Sequence, residues 1–203
     1  MTSIIPGSRP NQPREMTDEI LRKNGVTDPV VLLGVRGYYC GTEFNPSENL
    51  RGVYDDAIFL VTPTKYLTFN ANTDPSGYRP GHGNEDAGKG MATLCPQVVR
   101  FKLGLHKGKT PALLEAGMVH VLRDADSQVP EHFIIKQGER RFYKAFGNFG
   151  IDLHPGGIEH TGSLGCQTIP PSEWAEFYAE CESAMKRAGM ETINYLLVEK
   201  GSA

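Results

Sequence analysis

Short strand-like runs dominate the pattern of hydrophobic and polar positions, and only two stretches carry helical spacing. Residues 1–16 are polar and Pro-rich and read as an extended arm. A short helix is predicted over Thr17 to Asn24, with Thr17 as N-cap and Gly25 as stop. The β-rich run 29–39 predicts a core strand, and 57–62 with 65–71, flanking Pro63-Thr64, predict a hairpin. Residues 72–96 are rich in Asn, Asp, Gly and Pro without apolar periodicity and predict a long loop. Strand character returns at 97–105, 118–123, 150–154 and 192–198, while 127–140 is polar and mixed. Trp174, Phe177, Tyr178, Cys181 and Met185 fall on one helical face. That helix is predicted from a Ser172 N-cap to about Ala188, with Lys186 and Arg187 in its last turn and Gly189 as stop.

The expected fold class is therefore mainly β with a few helices, a mixed β domain. An arm and short helix over 1–28 precede a single domain over 29–203. The 23 glycines and 14 prolines support this reading, because they supply turns between strands. A formal charge of -3 argues against a nucleic-acid partner and against a polybasic membrane-surface module. No apolar run approaches the roughly 20 residues that span a bilayer, so no membrane insertion is expected. The first ten residues show no charged start followed by an apolar segment, so synthesis in the cytoplasm without a signal peptide is expected. Cys40, Cys95, Cys166 and Cys181 are widely spaced without a CxxC pair, which fits neither a disulfide scaffold nor a zinc ribbon. Whether Cys40 and Cys95 pair is left open by the sequence.

The chemistry concentrates in His154-Pro-Gly-Gly-Ile-Glu-His160-Thr-Gly-Ser163-Leu-Gly165-Cys166-Gln167. A cysteine after glycine, close to a helix start, is placed to be a nucleophile, because a helix N-terminus and a nearby imidazolium both lower a thiol pKa. Gly165 would let a substrate carbonyl approach backbone N–H groups that form an oxyanion hole. His154, at the end of a strand, is the candidate base. All six histidines precede Cys166, which excludes enzymes that place the cysteine before the histidine. Ser163, Gly157, His160, Gln167, His106 and Thr73 are further candidates for oxyanion or substrate contacts, with Asn72 and Asp74 beside Thr73. Cys181 reads as core. A zinc set of His154, His160 and Cys166 matches no standard ligand spacing, so neither a metal nor an organic cofactor is expected.

This segment resembles the active-site signature of the L,D-transpeptidase catalytic domain, a histidine after a strand, a Gly-rich loop, then Ser-His-Gly-Cys. Here it stands as His154, the loop, and Ser163-Leu164-Gly165-Cys166. Leu164 replaces the signature's histidine, Thr168 replaces its downstream Arg or Asn, and the gap from His154 to Cys166 is shorter. The runs Arg51 to Ile58, Asn70 to Ser76, Gly104 to Gly108 and Arg123-Asp124 are similar to phage and prophage proteins that end in Gly-Cys-Gln. The resemblance implies an L,D-transpeptidase-like fold with the site at the end of a central strand. It implies a cysteine enzyme that attacks peptidoglycan stem peptides at a diamino-acid–D-Ala bond. Transpeptidation and carboxypeptidase or endopeptidase outcomes are both open. It further implies action on the cell wall in the periplasm after delivery or lysis, with a delivery machinery or immunity protein as partner. The alternatives are a sortase-like cysteine transpeptidase, which needs an arginine and has only Arg187 downstream, and a non-catalytic phage structural or wall-binding module.

Overall fold

The computed structural model describes residues 3–83 and 88–201. Twelve strands and two helices follow one another in the order α1 (Arg14–Lys23), β1 (Val31–Arg36), β2 (Asp56–Val61), β3 (Tyr66–Ala71), β4 (Ala92–Leu94), β5 (Gln97–His106), β6 (Thr110–Glu115), β7 (Val119–Asp124), β8 (Ile135–Gln137), β9 (Arg140–Gly147), β10 (Leu153–Pro155), β11 (Gln167–Ile169), α2 (Pro171–Ala188) and β12 (Thr192–Glu199). The chain is mainly β with few helices. Eight strands form one sheet in the order β11-β10-β6-β5-β12-β1-β2-β3, and β4-β7-β9-β8 form a second. Beyond β3, Asn72 pairs with Thr168 through reciprocal backbone hydrogen bonds of 2.8 Å, so the eight-stranded sheet nearly closes on itself. Closure leaves few unpaired strand edges.

Alternation along the strands builds two apolar clusters on opposite faces of the sheet. Leu32, Ile58, Leu60, Phe69, Phe101, Tyr195 and Leu197 face α2, whose Trp174, Phe177, Cys181, Ala184 and Met185 pack among them. Val31, Leu33, Val35, Ala57, Phe59, Val61, Leu196 and Val198 face the other way, under Ile20 and Leu21 of α1. Both β1 and β2 are buried along their whole length because each face has its own cover. The second sheet adds Leu94, Val119 and Val121 to the α2 cluster. It is tied to the first where Gln97 of β5 donates to the His120 carbonyl of β7 at 2.7 Å and accepts its N–H at 3.1 Å, and a two-pronged ion pair holds Asp124 of β7 to Arg51 of the β1–β2 connection, each N–O distance 2.8 Å.

The hairpin and both helix stops agree with the sequence pattern. Gly189 sits at the α2 C-terminus with φ 64, a conformation that favours glycine. The helix starts are corrected. Pro13 and Pro170 hold the N-cap positions, without a side-chain cap in either case. Thr17 lies inside α1, buried, with its hydroxyl 2.8 Å from the Tyr66 hydroxyl. Within the expected loop over 72–96, β4 forms, and residues 84–87 lie outside the described residues. β6, β9 and β11 were not expected, and β8 forms within the polar stretch 127–140. All four cysteines are free thiols, so Cys40 and Cys95 do not pair. Among the described residues no helix is long and apolar enough to cross a membrane.

Candidate active site

β10 runs parallel to β11 with Leu153 opposite Gln167, so Cys166 enters β11 level with Asp152. Strand alternation puts Asp152 and His154 on one side of this pair. His154 lies inside β10, one strand in from the end of the sheet order, with β6 and β11 on either side. His106, the last residue of β5, stacks on His154 with ring centroids 4.2 Å apart and planes at 22°. One ring nitrogen of each histidine and the Cys166 Sγ all lie within 4.8 Å of one another.

Both imidazoles are oriented from behind. His106 Nδ1 lies 2.7 Å from Asp152 Oδ2, and His154 Nδ1 lies 2.8 Å from the Pro155 carbonyl oxygen. Each acceptor takes a hydrogen bond from Nδ1–H, and in the neutral form of either ring Nε2 then carries the lone pair. Asp152 is held in turn, because its Oδ1 accepts the Glu115 N–H at 3.1 Å. Glu115 Oε2 accepts the N–H groups of Phe149 and Ile151, which shapes the turn whose Gly150 carbonyl takes the Cys166 thiol hydrogen at 3.4 Å.

Burial pushes the Cys166 thiol up to about 11; the Asp152 backbone N–H pulls the other way, and the Asp152 carboxylate adds to the rise. Burial pushes His154 down, against the Pro155 carbonyl, with His106 adding to the fall. The resting pair is a neutral thiol beside a neutral imidazole. This corrects the expectation of a thiol activated by a helix N-terminus. β11 separates Cys166 from α2, so the helix dipole does not act at the sulfur.

The other expected contacts divide into braces and bystanders. Ser163, buried, accepts the Gly165 N–H at 2.9 Å and donates to the Cys166 carbonyl at 2.7 Å, so its hydroxyl holds the cysteine turn. Gly165 does not open a path for substrate. A Cβ there would stand 2.5 Å from the Ala92 carbonyl oxygen, so the missing side chain lets the turn lie against β4. Gln167 points inward, accepting from the Tyr195 hydroxyl at 3.1 Å and donating to the Gly165 carbonyl at 3.2 Å. Thr73 is buried and accepts from Arg36 Nε at 2.9 Å. Neither of these two reaches the substrate side. The Gly157 carbonyl accepts the Tyr54 hydroxyl at 2.8 Å, which anchors the Gly-rich loop. His160 is exposed in that loop and does not join the cluster; His106 takes the place the sequence reading considered for it beside His154 and Cys166. Among the described residues no group accepts the Cys166 N–H, a donor next to its own sulfur.

Sequence reasoning missed Asp152, Glu115 and the Pro155 carbonyl. The first had a signal, because an acid two residues before a strand histidine shares its face. Glu115 shows only as a charge closing an apolar run. No protein-family model matches the chain, and neither a curated protein nor a solved structure matches it significantly.

Proposed function

We propose that this protein is a peptidoglycan-modifying cysteine enzyme that cleaves stem peptides at the diamino-acid–D-Ala bond, as the sequence resemblance implies. The observation that carries the reading is the convergence of Cys166, His154 and His106 within 4.8 Å, with both histidines oriented by fixed acceptors.

His154 takes the thiol proton as Sγ attacks the carbonyl carbon, and the Cys166 N–H donates to the developing oxyanion. The C–S bond forms, the C–N bond breaks, and His154 returns its proton to the departing D-Ala amine. An incoming amine or water then attacks the thioester, with its proton taken by a neutral imidazole. Delivery to the wall by a phage or a secretion apparatus, and an immunity protein in the producing cell, follow from the same resemblance. The sortase alternative draws no support, because Arg187 lies on α2 bonded to Ser183.

Water should compete well as acceptor. Leu164 is 57% exposed where the signature carries histidine, and Thr168 is buried against Asn72, so neither holds an amine or a stem carboxylate at the sulfur. A positioned acceptor gains several kcal/mol over a free one, and that advantage is reduced here. The test is mass spectrometry of purified muropeptides after incubation with the native protein and with Cys166→Ala. Shortened stem peptides from the native protein alone are expected. Products dominated by new cross-links would overturn the hydrolytic preference, and unchanged muropeptides would overturn the function in favour of a wall-binding module.

A further inference from the structure

We infer that His106, His154 and Cys166 form a zinc site that reversibly occludes the nucleophile. The donor set is the first observation. Two imidazole nitrogens and one sulfur within 4.8 Å of one another lie close to three corners of a tetrahedron. Zinc bonds of about 2.0–2.3 Å set such corners about 3.3–3.7 Å apart, so closing onto the ion takes side-chain rotations of about 1 Å. Borderline-soft zinc suits two imidazoles and a thiolate, and three protein ligands leave a fourth position for water.

The second observation is independent of those distances. A metal-bound histidine usually gives its other N–H to a carboxylate or a backbone carbonyl. Both histidines do so here, His106 to Asp152 and His154 to Pro155. In the neutral form of each ring Nε2 is then the lone pair that a metal ion would take. The three ligands also come from three strands or strand entries of one rigid sheet, β5, β10 and β11.

On binding, the Zn–S bond forms as the Cys166 thiol releases its proton to solvent; no electron is transferred. The lone pairs that would take that proton in catalysis are used by the ion. Binding itself does not depend on the proposed function, whereas its consequence for turnover rests on it.

The experiment titrates the purified, metal-stripped full chain with Zn2+ and with Co2+. Expected are one equivalent bound, release of a proton, and a near-ultraviolet thiolate-to-cobalt band with the visible intensity of a tetrahedral ion. His106→Ala and Cys166→Ser should each weaken Zn2+ binding by more than about a hundredfold, since second-shell losses alone cost 10–100-fold. Asp152→Asn, which keeps the ring and its place, should weaken it by about tenfold or more. His160→Ala should bind as the native chain does, and melting curves identify any variant that fails to fold. Zn2+ should also protect Cys166 from iodoacetamide, with a chelator restoring the reaction. A cobalt spectrum without the thiolate band, or one unchanged in folded His106→Ala, would overturn the site. A chelator that abolishes muropeptide cleavage would keep the site but overturn occlusion and the cysteine-nucleophile reading together. Cleavage missing from the stripped and the zinc-loaded protein alike, with zinc bound as expected, would overturn the proposed function alone.

Discussion

At the scale of single residues, the proposed reaction calls for proton transfer at the moment of attack rather than for a standing thiolate. Burial raises the Cys166 thiol to about 11 and lowers His154, so at neutral pH neither group is charged. Alkylation of Cys166 by iodoacetamide should therefore be slow at pH 7 and climb continuously toward about pH 11. Rates measured across that range by peptide mass spectrometry check this; a plateau below pH 8 would show a thiolate–imidazolium pair instead. Turnover needs neutral His154, and its acid limb should lie below the ordinary imidazole value of about 6.5. His154→Ala should lower the rate by about a hundredfold, the usual scale of general acid–base catalysis. His160→Ala, an exposed loop position, should change it little, and equal losses in the two would overturn the assignment of the base.

At the scale of elements, the cysteine turn is held from beneath by polar braces and from the side by close packing. Ser163 closes the turn on itself, Gln167 ties it to Tyr195, and Gly165 lies against Ala92 of β4. A methyl group at Gly165 has no room without moving the turn. α2 is anchored differently, by a fully buried face that includes Cys181. Two substitutions should separate these roles. Gly165→Ala should reduce turnover strongly even well below its own melting transition, because the added methyl meets the Ala92 carbonyl oxygen and displaces the sulfur. Cys181→Ala should leave turnover intact below the melting transition but cost on the order of 1–2 kcal/mol through the cavity it creates. Melting curves with a turnover assay on each variant give both numbers, and the reverse pattern would show that the site depends on α2 and not on the turn.

At the scale of the molecule, the eight-stranded sheet buries charge as well as apolar area. Arg36, itself buried, lies 3.4 Å from Asp74 and 3.1 Å from Glu199, and donates to Thr73. Asp55 and Asp56 stand beside this group. Burial pushes Asp55 up to about 6, and the Asp74 charge adds to the rise, against hydrogen bonds from Leu50 and Asn45. Asp56 is pushed up as well, by burial first and then by Asp55, with Arg36 opposing. An acid with a raised folded pKa contributes stability that is full below its unfolded value of about 3.9 and is lost as pH rises through the folded one. For Asp55 the loss falls between about pH 4 and pH 6. Asp55→Asn should therefore flatten the fall in melting temperature across that window. Parallel curves for the native protein and the variant would overturn the role given to Asp55.

Sequence alone determined the local features. β-rich apolar runs located β1, the β2–β3 hairpin, β5, β7 and β12, because a strand covered on one or both faces gathers apolar and β-branched residues in its own sequence. The apolar stripe from Trp174 to Met185 and the Gly189 stop located α2 for the same reason. Cys166 and His154 were legible together because they lie twelve positions apart along one Gly-rich stretch of chain. Helix starts were not legible, since polar residues suited to capping stood near both and prolines took the positions. β6, β9 and β11 left little trace because they are short or mixed in polarity, and their partners in the sheet make them strands. Tertiary structure decided the site's other half. His106 meets Asp152 across 46 positions, and Glu115 reaches Ile151 across 36, contacts that exist only once the sheet has closed. The same closure turned Thr73 and Gln167 inward. A residue's type and neighbours report its period and propensity, whereas which groups face one another across a sheet depends on register and closure, which no local pattern encodes.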